Sequence, residues 1–217
     1  MARPRATDYD DKRSAILREA AVLFATRGFD RTSMSEIAQA LGVSKALFYH
    51  YYRSKDELLF DIIRNHLVEL VEAAEGADRA AMLPEARLHA VVVAIFECYR
   101  DADAQHKIQI NHLSQLTNEQ QAELKGFERR LVDVLSRIVT AINPALARDY
   151  VRPVTMSIFG TLNWKYMWFR ENGRVSHADY AALVTRMFTA AIRAEGGRLA
   201  ENSQASAQAD APKRAAR

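Results

Sequence analysis

Residues 32–59 read TSMSEIAQALGVSKALFYHYYRSKDELL, and this stretch decides the fold. Ser33 and Glu36 have the spacing of a capping box, in which the hydroxyl takes the N3 amide and the carboxylate returns to the cap amide. The short helix they open offers Ile37, Ala38 and Leu41 to a core, and Gly42 ends it after about two turns. Ser44 is placed to cap a second helix over 45–52. Ser54 and Glu57 repeat the capping box and open a longer helix with Leu58, Leu59, Ile62, Ile63 and Leu67 on its inner side. Upstream, Ile16, Ala20, Leu23 and Phe24 share one face of a helix that begins near Asp10 and stops at Gly28.

The unit at 33–52 is therefore helix, tight turn, helix. In a DNA-reading pair of this kind the first helix crosses the backbone and the second enters the major groove. Ile37, Ala38, Leu41, Val43, either Leu47 or Phe48, and Tyr51 are the residues that lock the pair onto the preceding helix. Ser44, Lys45, Ala46, Tyr49 and His50 remain for the outer face. Their hydroxyl, ammonium, methyl, phenol and imidazole groups suit phosphates and base edges. Lys55 adds a cation at a helix start, where amides already favour anions. Glycine-turned helix pairs also occur in proteins that never meet DNA, and Tyr49, Tyr51 and Tyr52 fit plain packing as well; Tyr51 is read that way.

Continuing outward, Pro84 opens a helix that buries Leu88, Val91, Val92, Ile95, Phe96 and Tyr99. A polar break at 101–105 precedes a shorter apolar stretch, 108–116. Thr117 or Asn118 caps the next helix, which stops at Asn143-Pro144. A long helix is expected over about 146–170, a turn at Asn172-Gly173, and a last helix over about 176–194, ended by Gly196-Gly197. The expectation is an all-α fold of about nine helices. A head over 10–70 carries the helix-turn-helix and a larger helical bundle spans 71–196. Residues 1–9 and 197–217 read as flexible tails.

The bulk composition fits this reading. Of 217 residues 49% are hydrophobic and 26% charged, with only eight glycines and five prolines. Net charge is +3, too small to argue for nucleic acid by itself. Residues 1–60 hold Lys/Arg at 3, 5, 12, 13, 18, 27, 31, 45, 53 and 55, against Asp/Glu at 8, 10, 11, 19, 30, 36, 56 and 57. Much of that excess lies on the amino-terminal arm and around the outer face of the second helix. The single cysteine, Cys98, reads as a small core residue and excludes an internal disulfide. No apolar run reaches the roughly 18 residues of a membrane span, and the polar start lacks a signal-peptide core, so a cytoplasmic location is expected. His66, His89, His106 and His112 lack metal-ligand spacing, and no nucleophile triad or glycine-rich phosphate loop occurs. Neither an enzyme, a metal nor a cofactor is expected.

The 32–59 stretch, with ILREAAVLFATRGF at 16–29 before it, resembles the amino-terminal signature of the TetR/AcrR family of transcriptional regulators. The likeness is close over about 10–65 and looser beyond. It implies that Thr32, Ser33, Ser44, Lys45, Tyr49, His50 and Lys55 touch phosphates. It places Lys45, Ala46, Leu47 and Tyr49 nearest the bases of double-stranded DNA at a pseudo-palindromic operator. Ala46 departs from the glycine common there; its methyl meets a thymine methyl instead. The resemblance also implies a homodimer through helices at about 146–170 and 176–194, with Val175, Tyr180, Leu183, Val184, Met187, Phe188 and Ile192 as apolar surface. The same stripe would equally serve packing within one chain.

Residues 159–170, FGTLNWKYMWFR, hold both tryptophans, four residues apart. The segment resembles a stretch of TetR-like regulators of fatty-acid, steroid and aromatic-acid catabolism. That resemblance implies a small-molecule effector, an acyl-CoA or hydrophobic carboxylate, against Asn163, Trp164, Met167, Trp168 and Arg170. Phe96, Tyr99, Arg100, Asn111 and His112 would face it. Core or dimer packing is the other reading of each aromatic. Release of a repressor by the effector is the expected action; activation, and control by a protein partner without a small molecule, stay open.

Overall fold

The computed structural model describes residues 3–100, 102–170 and 172–209. Among them are nine α-helices of seven residues or more and one four-residue helical turn, with no strand. The helices are α1 (Arg3–Arg27), α2 (Met34–Ala40), α3 (Lys45–Tyr51), α4 (Lys55–Ala77) and α5 (Pro84–Tyr99). They continue as α6 (Asp103–His112), α7 (Asn118–Ile142), α8 (Arg148–Asn163), the short turn α9 (Lys165–Trp168) and α10 (His177–Ala209). The all-α expectation holds.

The starts and stops follow local chemistry. The Ser33–Glu36 capping box forms in full, with Glu36 N–H to Ser33 Oγ at 3.2 Å and Ser33 N–H to Glu36 Oε2 at 2.7 Å. Thr117 and Gln120 form the same reciprocal pair at α7. Ser176 caps α10 by accepting from the Asp179 amide at 3.1 Å. Helix α7 ends where Asn143 Nδ2 donates to the Ile192 carbonyl at 2.7 Å and its Oδ1 takes the Ala145 amide.

Some boundaries differ from the sequence expectation. Helix α1 starts at Arg3, and α10 passes through Gly196-Gly197 to Ala209. The described parts of both expected tails are thus helical. Alanine, arginine, glutamate and glutamine favour helix without any apolar face, and each glycine costs only about 1 kcal/mol. Residues 1, 2 and 210–217 of those tails lie outside the described residues. The helix expected over 146–170 ends at Asn163, tightens at Trp164 through a Met167 N–H bond to the Trp164 carbonyl, and turns extended at Phe169. Helix α6 starts at Asp103, inside the stretch read as a break.

The described residues fall into two compact units. One is drawn from Met1–Glu72 and Cys98–Arg129, the other from Ala73–Glu97 and Arg130–Arg217. Residues 98–129 thus group with the amino-terminal segment in packing. In that unit α1 packs on α2 and α6, and α2 on α3. Ala20, Phe24, Ile37, Phe48, Leu58 and Leu59 are its buried centre. Lys107 of α6 donates to the Ala25 carbonyl at 3.1 Å, satisfying an end of α1 that its own helix cannot. In the second unit α8 packs on α10, over Leu88, Val92, Ile138, Ile158, Leu162 and Ile192. Asp78 there holds Arg87 at 2.6 Å and Arg137 at 3.6 Å.

Candidate functional site

The turn between α2 and α3 is a Schellman motif. Val43 N–H reaches the Ala38 carbonyl and Gly42 N–H the Gln39 carbonyl, each at 3.1 Å. Gly42 has φ +66°, and a Cβ there would meet nothing within 4 Å. Glycine is required by backbone conformation, not by space. Ser44 then caps α3, accepting from the Leu47 amide at 3.2 Å.

Phe48 is fully buried and pins α3 to the core. It settles the choice between Leu47 and Phe48 as the anchor, because Leu47 is exposed. Ser44, Lys45, Ala46, Leu47, Tyr49 and His50 together form an outward surface on α3 and its cap. Tyr51 stacks on Tyr9 of α1, with centroids 4.8 Å apart. Tyr52 is buried, and its hydroxyl donates to Asp61 Oδ2 at 2.5 Å. Arg13 holds the same carboxylate through Nε at 3.1 Å and Nη2 at 2.6 Å. Burial and then the Asp61 bond and charge push the Tyr52 phenol far above its usual range. This Arg13–Asp61–Tyr52 network ties α1, the end of α3 and α4 together. Sequence reading missed it because its members lie 9 and 48 residues apart.

Two residues expected on the outer face are turned to other tasks. Thr32 is 1% exposed, and its hydroxyl donates to the Gly28 carbonyl at 2.9 Å. Its side chain is not an outward group. Lys55 Nζ donates to the Phe29 carbonyl at 2.8 Å and lies 4.5 Å from that ring's centroid. It clamps the α1–α2 turn. An open depression of about 310 Å³ is lined by Arg31, Ser33, Ser35, Tyr49 and Lys55, among others.

The expected effector residues are divided between the two units. Phe96 is buried in the second unit, stacked on Tyr180 of α10 at 5.4 Å and 7°. Trp168 meets Tyr180 edge-on at 5.1 Å, so Phe96 and Trp168 are brought together through it. Trp164 and Met167, however, are 61% and 57% exposed, and Arg170 is exposed too. They do not line an interior. Asn163 is half-buried. The buried group of the segment is Lys165, whose Nζ lies 4.6 Å from the Phe169 centroid and 5.4 Å from that of Phe96. A cation–π environment tolerates such burial, and a lone lysine among aromatics was the signal for it. Tyr99 belongs to the first unit, against His66 and His106. Arg100 and Asn111 are exposed there, and the Asn111 amide donates back to the Lys107 carbonyl. His112 lies beside Phe29 and pairs with Gln115. Among the described residues no group of three or more His, Cys, Asp or Glu is placed to hold a metal, and no helix is long and apolar enough to cross a membrane.

Comparison with known proteins places the α2–α3 pair within a known family. Residues 16–62 match the family of bacterial regulatory proteins, tetR family, and residues 82–192 match the tetracyclin repressor-like C-terminal domain. The HTH-type transcriptional activator FasR of Mycolicibacterium smegmatis is 35% identical over 88 residues, 41% of this chain and 40% of that protein. The chain thus spans less than half of that relative's length. The HTH-type transcriptional repressor KstR2 of Mycobacterium tuberculosis is 24% identical over 193 residues, 86% of this chain and 96% of that one. The crystal structure of AibR in complex with isovaleryl coenzyme A and operator DNA superposes with TM-score 0.69 at 29% identity, over 81% of this chain and 96% of that chain. A helix-turn-helix held by Gly42, Ser44 and Phe48, with both family matches in their expected places, establishes that this chain belongs to the TetR family and is a transcriptional regulator, not an enzyme.

Proposed function

We propose that this protein is a homodimeric repressor in the cytoplasm that leaves a pseudo-palindromic operator when a small hydrophobic metabolite, an acyl-CoA, binds. The observation that carries the DNA half is the outward α3 surface, fixed at its start by Gly42 and Ser44 and pinned by Phe48. Lys45, Ala46, Leu47 and Tyr49 face the bases, and Ser33, Ser44 and His50 lie toward phosphates. Repression follows the name of KstR2, and the effector class follows the AibR complex.

Pairing draws support from apolar exposure on the last long helices. Tyr150 and Met156 of α8 and Leu183 and Met187 of α10 are between 41% and 57% exposed, a surface that a second copy would cover. Two heads then read half-sites about 34–36 Å apart. The effector works by favouring a state with another spacing, and only its differential affinity for the two states moves the balance.

A DNA selection with full-length protein, followed by fluorescence anisotropy, tests this reading. The double variant Lys45→Ala/Tyr49→Ala should weaken binding by about 2 kcal/mol or more while light scattering still reports a dimer. Unchanged affinity would remove α3 as the reading surface. Addition of isovaleryl coenzyme A should lower wild-type affinity; an unchanged titration across a panel of acyl-CoAs would remove the effector class. A second reading, control by a protein partner without a small molecule, draws on the exposure of Trp164, Met167 and Trp168. A thermal-shift screen in which no small molecule stabilises the protein would favour it.

A further inference from the structure

His66 of α4 is 2% exposed, and its Nε2 meets no hydrogen-bond partner among the described residues. A buried polar atom left unpaired costs about 1–3 kcal/mol, so it marks either strain or a missing partner. Its neighbours are aromatic and polar. The Tyr99 and His106 ring centroids lie 5.9 and 5.8 Å from that of His66, and 4.5 Å from each other. Three elements of one unit, α4, the end of α5 and α6, thus bring their polar rings to one buried place. One turn along α6, Gln109 Oε1 is also buried and unpaired, while its amide donates to Glu128.

The chemistry of this place selects a ligand group. Burial first, and the neighbouring His106 second, hold the His66 imidazole far below its ordinary range, at about 3. It is neutral, with one donor and one acceptor. Cations on the same helices are committed elsewhere, Arg64 to Glu123 and Lys107 to the Ala25 carbonyl. A carboxylate or phosphate would lose its water here and gain no opposite charge. An uncharged carbonyl gains a hydrogen bond and costs little.

We infer that His66, Tyr99 and His106 form the receptor for the carbonyl of an acyl thioester, with the Nε2–H tautomer of His66 donating to that oxygen. The inference rests on the acyl-CoA reading above and names the part of the effector that this unit recognises. It also gives the effector a route to the head. The rings pack closely, so a carbonyl enters by parting α4 from α6. Helix α4 carries Asp61, which holds Tyr52 at the end of α3, and α6 carries Lys107, which holds the end of α1.

The test uses full-length protein with 15N-labelled histidine. The probes are isovaleryl coenzyme A and the N-acetylcysteamine thioester of the same acid, which lacks the nucleotide and its phosphates. Both should move the His66 ring-nitrogen resonance. His66→Phe should weaken both about tenfold, the loss of one buried hydrogen bond. His66→Gln, whose amide can donate in place of the ring N–H, should stay within about threefold of wild type. An unfolding midpoint for His66→Phe at or above wild type separates lost recognition from lost fold, and the wild-type resonance shift does not depend on the variant at all. A coenzyme A ester that binds without moving His66, and binds His66→Phe equally well, overturns this inference and leaves the effector class standing. If neither thioester binds wild type, the receptor and the effector class fall together. If only the truncated thioester binds and moves His66, the receptor stands and the coenzyme A reading falls.

Discussion

The outer face of α3 and the segment 159–170 both place aromatic residues on short helices, and they obey opposite logic. On α3 the order of buried and exposed groups is set within about ten residues. Gly42 turns the chain, Ser44 starts the helix and Phe48 goes in, so Leu47, Tyr49 and His50 face out. In 159–170 the two tryptophans are exposed and Lys165 is buried, the reverse of what side-chain polarity suggests. The partners that decide it, Phe96 and Tyr180, come from α5 and α10. A site built from neighbours in sequence is legible there; one built from distant helices is not.

The contrast breaks most directly at its anchors. Phe48→Ala should destabilise by about 3–5 kcal/mol, as for a large aromatic removed from a packed core. Trp164→Ala should change the stability of a single chain by less than about 0.5 kcal/mol. Equal losses in urea unfolding would erase the distinction between the two regions.

Next in size is the pH response of His66. Its imidazole is held neutral in the folded protein at about 3, whereas the unfolded chain takes up the proton near its ordinary value of roughly 6.5. Its contribution is complete above that value and is lost as pH falls below it, by about 1.4 kcal/mol per pH unit. Wild-type stability should therefore drop by about 2 kcal/mol between pH 6.5 and 5. His66→Phe should remove that part of the slope; an unchanged profile would mean that another group titrates.

Smaller effects sharpen the account of the head. Tyr52→Phe deletes the hydroxyl on the Asp61 carboxylate and should cost about 1.5–2 kcal/mol by thermal unfolding. Gly42→Ala should cost about 1–2 kcal/mol, because a side chain is strained at that φ despite the open space. The smallest effect separates two lysines of equal charge. Lys55→Ala releases the Phe29 carbonyl and should cost about 1 kcal/mol, whereas Lys45→Ala should cost less than about 0.5 kcal/mol. If the two cost the same, Lys55 is only a surface cation.

The sequence by itself determined the all-α class, the capping box at Ser33, the cap at Ser54 (though Glu57 returns to the Arg53 amide and not to that of Ser54), the αL turn at Gly42, the outward α3 face and the family. These are decided by contacts between residues three or four apart and by backbone conformation, which the order of side chains writes directly. Only the tertiary structure decided that Thr32 turns inward, that Lys55 clamps a turn and that residues 98–129 join the amino-terminal unit. It also decided that Lys165 is buried while Trp164 is exposed, and that His66 meets Tyr99 and His106. Apart from the Thr32 bond to Gly28, which is local, each of these depends on which distant helix supplies the opposite wall. Periodicity names the face of a helix that is covered, and packing alone names what covers it.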